Sequence, residues 1–369
     1  MSALRDIDVH GLAGIRLIDA GDEDAAAVRR QLGLPFTTLA SEPDLVLRFV
    51  DRLELESPLR YLGLDDAAFA GDSFLVLRGR RKSRARAQIP MDRIGKRCEV
   101  TCERGLAAVP LLVPILNLTL LAKGVLPLHA AAFTHEGAGW LATGWSKGGK
   151  TETLLSFMAE GAAFVGDEWT YVTADGRRMY GIPEPIRLWS WHLAAMPRHR
   201  RRVPRSDRVR LRALELGAAG IERVAGDAGN LRRLRHLIRS RLHVDVAPAR
   251  LFGAEACSLE GTPDRILFVV STDSPGVAIR PVDPQEVAER VMPSLQHEQL
   301  HFASYYWKFR FAFPHRRNEL VESSHELQRR LLRQCFEGKE AYELSHPYPV
   351  EIPALFAAVA ERCRGGNRR

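Results

Sequence analysis

Up to about Gly105 the apolar positions come in short runs. Leu45–Leu53 and Ser73–Arg78 read as strands, and the basic stretch Arg78–Arg86 reads as an exposed turn. These pieces predict a small N-terminal accessory domain of α+β type, residues 1–105. At Leu106 the pattern changes. Leu106–Ala122 is apolar over nearly a membrane span, but Pro110, Pro114 and Asn117 interrupt it, so a buried helix stopping at Gly124 is expected. Leu126–Phe133 reads as one buried strand, His135–Gly139 as a turn, and Trp140–Thr143 as a second strand. Lys150–Glu160 carries Leu154, Leu155 and Met158 on one helical face and ends at Gly161. Phe164–Gly166 is a third apolar strand. Trp169–Ala174 and Arg178–Ile182 flank Asp175-Gly176, a hairpin signal.

Residues 197–250 read as Arg-rich and mostly helical. Leu231, Leu234, Ile238 and Leu242 share a face, while Arg232, Arg233, Arg235 and Arg239 take the others. Ile266–Val270 is another buried strand. The tail is helical, and its cluster of Phe302, Tyr305, Tyr306, Trp307, Phe309, Phe311 and Phe313 is expected in a core or domain contact rather than in a base-stacking surface. No repeat or long low-complexity segment divides the chain.

The stretch Gly144-Trp145-Ser146-Lys147-Gly148-Gly149-Lys150-Thr151 fits G-x-x-x-x-G-K-[ST] and stands between a strand and a helix, the context that this pattern requires. Its glycines let the backbone wrap closely round phosphates. The successive N–H groups and the helix start form an anion nest. In that reading Lys150 reaches the outer phosphates and Thr151 places its hydroxyl on Mg²⁺. Lys147 adds charge near the phosphates and Trp145 packs over them, or both point to solvent. Asp167 and Glu168 end the next strand, on the side of the sheet where the loop is expected. Carboxylates there can hold Mg²⁺ or take a proton from an acceptor hydroxyl; alone, they would be an acidic surface turn. His129 is either a satisfied core histidine or a contact to phosphate, substrate or carboxylate.

His129, the strand Trp140–Thr143, the loop through Thr151 with Glu152 directly after it, and Phe164–Glu168 together resemble the catalytic domain of the HPr kinase/phosphorylase family. Pro183-Glu184-Pro185-Ile186-Arg187-Leu188 is similar to the proline-rich segment of its shorter homologues, among them kinases that phosphorylate a serine of a precursor peptide. Tyr342–Pro349 is similar to their C-terminal signature. The resemblance covers Leu126–Arg187 well and the rest loosely. It implies an α/β phosphate-loop kinase domain of HPr kinase/PEP carboxykinase type over residues 106–369, using ATP and Mg²⁺ to phosphorylate a serine hydroxyl. By this resemblance Gly144, Gly149, Lys150 and Thr151 bind phosphates and metal, Asp167 is the base or a carboxylate sharing a proton with it, Glu168 assists with Mg²⁺, and His129 lies by the transferred group. The family forms oligomers, so a homo-oligomer is a possible partner. Three departures stand out: Glu168 where the family usually has Asp, Lys147-Gly148 where it has glycine then an apolar residue, and no downstream Glu-Ile-Arg-Gly stretch. HPr as the acceptor and the reverse phosphorylase reaction are therefore not implied.

Charge adds a preference for anionic partners: the net charge is +8. Arg198, Arg200, Arg201, Arg202, Arg205, Arg208, Arg210 and Arg212 crowd one segment. They can clamp transition-state phosphate, recruit an acidic peptide, bind nucleic-acid phosphates, or simply form a solvated loop; no nucleic-acid module is recognisable. The five cysteines (Cys98, Cys102, Cys257, Cys335, Cys363) are odd in number and complete no zinc site, so free thiols in a reducing compartment are expected. No secretory signal or membrane span is evident, and a cytoplasmic protein is expected. Three functions remain open: a serine or small-molecule kinase, a non-catalytic nucleotide-binding regulator, and a nucleic-acid-associated ATPase.

Overall fold

The N-terminal runs of apolar residues build the largest sheet. β1 (Arg5–Val9), β2 (Ala13–Ile18), β3 (Leu45–Val50), β4 (Arg60–Leu62), β5 (Ala67–Ala70), β6 (Ser73–Val76), β7 (Ala87–Gln88) and β8 (Cys98–Glu103) lie in the order β1-β2-β3-β8-β7-β6-β5-β4. The computed structural model describes residues 4–63, 66–77, 86–224 and 241–366. Helix α1 (Asp22–Leu32) buries Ala25, Val28 and Leu32 in the same core as Ile7, Ile15 and Leu47. Cys98 and Cys102, one face of β8, are buried there, and burial pushes both thiols up to about 12. Cys257 and Cys335 are likewise free.

Helix α2 spans Leu112–Ala122, shorter than the apolar run that contains it. Pro110 precedes the helix and Pro114 sits in its first turn, where a missing N–H breaks no helical bond, so neither proline disrupts it. No helix among the described residues is long and apolar enough to cross a membrane.

The run Leu126–Phe133 is not one strand. β9 (Leu126–Leu128) joins a four-stranded sheet of order β17-β14-β13-β9, while β10 (Ala130–His135) enters a six-stranded sheet. The chain changes sheets at His129. β9 is an edge strand, where Pro127 costs no ladder bond on its open side. β10 and β11 (Ala138–Gly144) make a hairpin turning at Glu136 (φ 49°) and Gly137 (φ 78°), the twist-matched two-residue turn. After β11 come α3 (Lys150–Ala159), β12 (Ala163–Gly166), β13 (Thr170–Val172) and β14 (Met179–Gly181). β13 and β14 pair antiparallel, closing at Val172↔Met179 round a loop that holds Asp175-Gly176 and is longer than a two-residue turn.

β15 (Ile186–Trp189) pairs with β16 (His243–Val246), and between them lie α4 (Ser190–Ala195), α5 (Pro197–Arg200) and α6 (Arg205–Val224). The expected helix through Leu231, Leu234 and Ile238 with Arg232, Arg233, Arg235 and Arg239 lies outside the described residues, as does the stretch 78–85. Leu242 leads directly into β16. Then follow α7 (Pro248–Phe252), β17 (Glu260–Gly261), β18 (Arg265–Thr272), β19 (Ala278–Pro281), α8 (Pro284–Ala312), α9 (Glu319–Phe336), β20 (Glu340–Pro347) and α10 (Ile352–Gly366). The six-stranded sheet has the order β12-β10-β11-β18-β20-β19, with β11, β18 and β20 parallel. The whole is a mixed α/β protein.

The aromatic cluster on α8 divides. Phe302, Tyr305, Tyr306 and Phe309 are buried; Trp307 and Phe311 are 61% and 77% exposed. Phe309 packs edge-on against Phe74 of β6 at 5.7 Å. One continuous apolar core runs from the N-terminal sheet through α2 to α8 and α9.

Candidate functional site

Strand direction gathers the site. β10 is antiparallel to both β11 and β12, with Ala130 opposite Thr143 and Ala132 opposite Gly166. The start of β10 therefore lies at the same sheet edge as the ends of β11 and β12. That edge brings His129, the loop after Gly144, and Asp167-Glu168 together. β20 runs parallel to β18, and its end delivers His346 to the same edge.

The glycine loop is tight. At Gly144 (φ 152°) a Cβ would meet the Val269 carbonyl oxygen at 2.4 Å. At Gly149 (φ 105°) it would strike His346 Nε2 at 2.0 Å. Lys147 takes the left-handed region at φ 61° and is exposed. The Trp145 carbonyl accepts the Gly148 N–H (3.1 Å) and the Lys150 ammonium (3.0 Å), so Lys150 folds back over the loop it follows. Lys150 is buried, which lowers its pKa; the carboxylates of Glu168, Asp167, Glu298 and Glu152 partly offset this. The Trp145 ring stacks on His297 of α8 at 5.1 Å, on the outside of the loop.

A carboxylate cluster faces the loop. The Thr151 hydroxyl donates to Asp167, 3.1 and 3.2 Å from its two oxygens. Burial, then the neighbouring Glu168, pushes Asp167 up to about 7. Glu168 is half-exposed and lies 3.0 Å from His129 Nε2, which lowers its pKa. On the other side of the ring, His129 Nδ1 is 3.2 Å from Glu298 Oε1 of α8, within ion-pair range but poorly aligned for a hydrogen bond. Burial alone would lower the His129 pKa; the two carboxylates outweigh it and raise it. Glu298 is held down at about 2 by His129, with Ser146 of the loop also donating to it. Glu184 completes the group. Burial, then Glu168 and Asp167, pushes it up to about 8, and its Oε2 is buried without a partner.

Glu152 points elsewhere. His192 Nδ1 accepts the Trp189 N–H (3.2 Å), so Nε2 carries the proton and donates to Glu152 (3.2 Å). This pair ties α3 to α4. The arginines of α5 and α6 are mostly exposed; Arg210 donates to the His243 carbonyl at 2.7 Å, fixing α6 to β16.

The loop, Asp167, Glu168 and His129 thus meet, as the sequence suggested. Glu298 joins them unannounced, as does Ser294, whose hydroxyl donates to the Gly144 carbonyl at 3.0 Å, while Glu184 and His346 arrive from two segments that the sequence had marked without giving those residues a role. Ser294, His297 and Glu298 recur at i, i+3, i+4 and so share one face of α8. That polar face was readable in the sequence, but not what it would meet. No known protein-family model matches the chain, and no curated protein matches it.

Proposed function

We propose that the chain is an ATP-dependent phosphotransferase of the HPr kinase-like, phosphate-loop type, acting on the hydroxyl of a serine in a peptide or protein, or of a small-molecule alcohol. One observation carries the reading: the Thr151 hydroxyl after the glycine loop bonds the buried carboxylate of Asp167. That pairing joins an anion cradle to a group able to hold a cation or accept a proton.

The residues suit both ATP and Mg²⁺. Asp167 is a buried carboxylate whose hydrogen-bond donor is a hydroxyl, and its pKa is raised by burial first and by the neighbouring acids second. Among the described residues no three His, Cys, Asp or Glu side chains are grouped to hold a metal by themselves. This suits Mg²⁺, which binds through one or two carboxylates and leaves other positions to water and phosphate oxygens. Thr151 and Asp167 would hold it directly and Glu168 through water, and the bound ion would neutralise phosphate charge.

The chain's own groups then divide the work. The N–H groups of the loop and of the α3 start receive the phosphates. Lys150 leaves the Trp145 carbonyl for the outer phosphates. Asp167 orients the acceptor hydroxyl and takes its proton as the new oxygen–phosphorus bond forms and the bond to the leaving diphosphate breaks. Glu168 and Glu298 raise the His129 pKa against the opposing effect of burial, and the protonated ring would stabilise negative charge on the moving phosphoryl group.

Calorimetry of Mg–ATP on the wild type and on Lys150→Ala tests the reading. Binding that the variant loses supports it, and Asp167→Asn should then bind nucleotide without transferring phosphate. No binding by the wild type sinks it. Release of free phosphate stimulated by DNA, with salt-steep DNA binding, would point instead to a nucleic-acid ATPase.

A further inference from the structure

Two consecutive residues at the start of α3 turn to opposite flanks of the glycine loop. Thr151 donates to Asp167, just beyond β12, whereas Glu152 accepts from His192 of α4. The strand order keeps these flanks apart: β12 lies two strands to one side of β11, and β20 two strands to the other. On the β20 flank His346 sits against Gly149, and the chain leaves the strand after Pro347. The next residue, Tyr348, is 59% exposed. Burial, then the charge of Glu152, raises the pKa of its hydroxyl, which sets that hydroxyl by the first turn of α3. Trp191 of α4 is half-buried and packs against the core that holds Leu154 and Leu155 of α3. The Trp191 and Tyr348 rings stand 6.2 Å apart at 89°, an aromatic corner beside the loop.

A nucleoside triphosphate held by the loop has two unlike ends. With the terminal phosphate beside Asp167, the other end extends away from the carboxylates, outside the carboxyl ends of β18 and β20. A nucleobase arriving there meets one ring to stack on and a second ring at its edge. Stacking is indifferent to the hydrogen-bonding pattern of the base but grows with ring size, so it favours purines over pyrimidines and separates the two purines little.

We propose that Trp191 and Tyr348 form the base subsite of the nucleotide, which stacks a purine on the β20 flank of the loop. The proposal rests on the phosphotransferase reading, since phosphates must occupy the loop for a base to reach this corner.

Calorimetry on the full chain with Mg–ATP, Mg–GTP, Mg–UTP and Mg–tripolyphosphate tests it, because tripolyphosphate has the phosphates and no base. ATP and GTP should bind alike, and each at least about tenfold more tightly than tripolyphosphate, with UTP between. Trp191→Leu and Tyr348→Leu should each close most of the gap between ATP and tripolyphosphate. Tripolyphosphate affinity should stay unchanged in both, which shows that the variants fold. Tyr348→Phe keeps the ring and should keep the gap. Equal affinity of wild type for ATP and tripolyphosphate, UTP bound as tightly as ATP, or a gap that survives in both leucine variants overturns the base subsite while leaving the phosphate loop standing. If neither ATP nor tripolyphosphate binds, the subsite falls together with the phosphotransferase reading.

Discussion

His346 Nε2 lies 3.0 Å from the carbonyl oxygen of Gly148, and its Nδ1 lies 2.8 Å from that of Pro347. The ring is fully buried and forms the floor of the glycine loop. Removing it leaves the Gly148 carbonyl unheld while the parallel strands remain. His346→Ala should therefore weaken Mg–nucleotide binding by about tenfold. Gly149→Ala should abolish binding, because the new Cβ meets the imidazole and the φ of 105° disfavours any L side chain. Calorimetry of both variants, with thermal melts to confirm folding, decides this.

The acids at the sheet edge make stability depend on pH in an unusual direction. Asp167 rises from 3.8 to about 7, and Glu184 from 4.5 to about 8. Between those limits the folded chain binds more protons than the unfolded one, so stability falls as pH rises. The raised pKa of His129 has the same sign: its stabilisation is present below 6.5 and is lost as pH climbs through the folded value. In metal-free buffer the melting temperature should drop between about pH 5 and 8. Asp167→Asn and Glu184→Gln should each flatten the drop, and Mg²⁺ should recover most of it at the alkaline end. A melting temperature that rises over this range would contradict the account.

Glu298 contributes to the raised pKa of His129. Glu298→Gln keeps the shape and removes the charge, so the His129 imidazole should titrate at lower pH, as NMR of the ring would show. If His129 acts as a cation, turnover should lose its alkaline reach, while nucleotide affinity changes little.

Away from the site, the Tyr171 hydroxyl is buried and donates to Asn117 Oδ1 at 3.1 Å, linking β13 to α2. Tyr171→Phe strands the Asn117 oxygen inside the core. A loss of about 1–3 kcal/mol in urea unfolding is expected, without change in nucleotide binding.

What the sequence disclosed was local. Strand, glycine loop and helix are consecutive, and their periodicities change where the structure changes. Asp167 and Glu168 were legible because a short apolar strand ends there. His129 was legible only as a residue type in an apolar run. The break at His129 comes from pairing β9 with β13 and β10 with β11, a tertiary choice that no turn residue marks. Glu298 and the place of His346 were hidden for the same reason: one arrives on a helix and the other at the end of a strand, each far along the chain; the parallel order β11-β18-β20 sets His346 beside the loop, and the Ser294–Gly144 bond sets the face of α8 there.

Helix α8 is 29 residues long, a rod of about 44 Å at 1.5 Å per residue. About a third of the way along, directly after Pro293, Ser294 holds the Gly144 carbonyl; near the C-terminal end Phe309 rests on Phe74, and Lys308 pairs with Asp66 beside the N-terminal sheet. A load applied to that sheet is thus carried along the rod to the loop. Pulled in an optical trap, or nicked by a protease in β5 or β6, the chain should lose the N-terminal sheet and the loop in one event, not two.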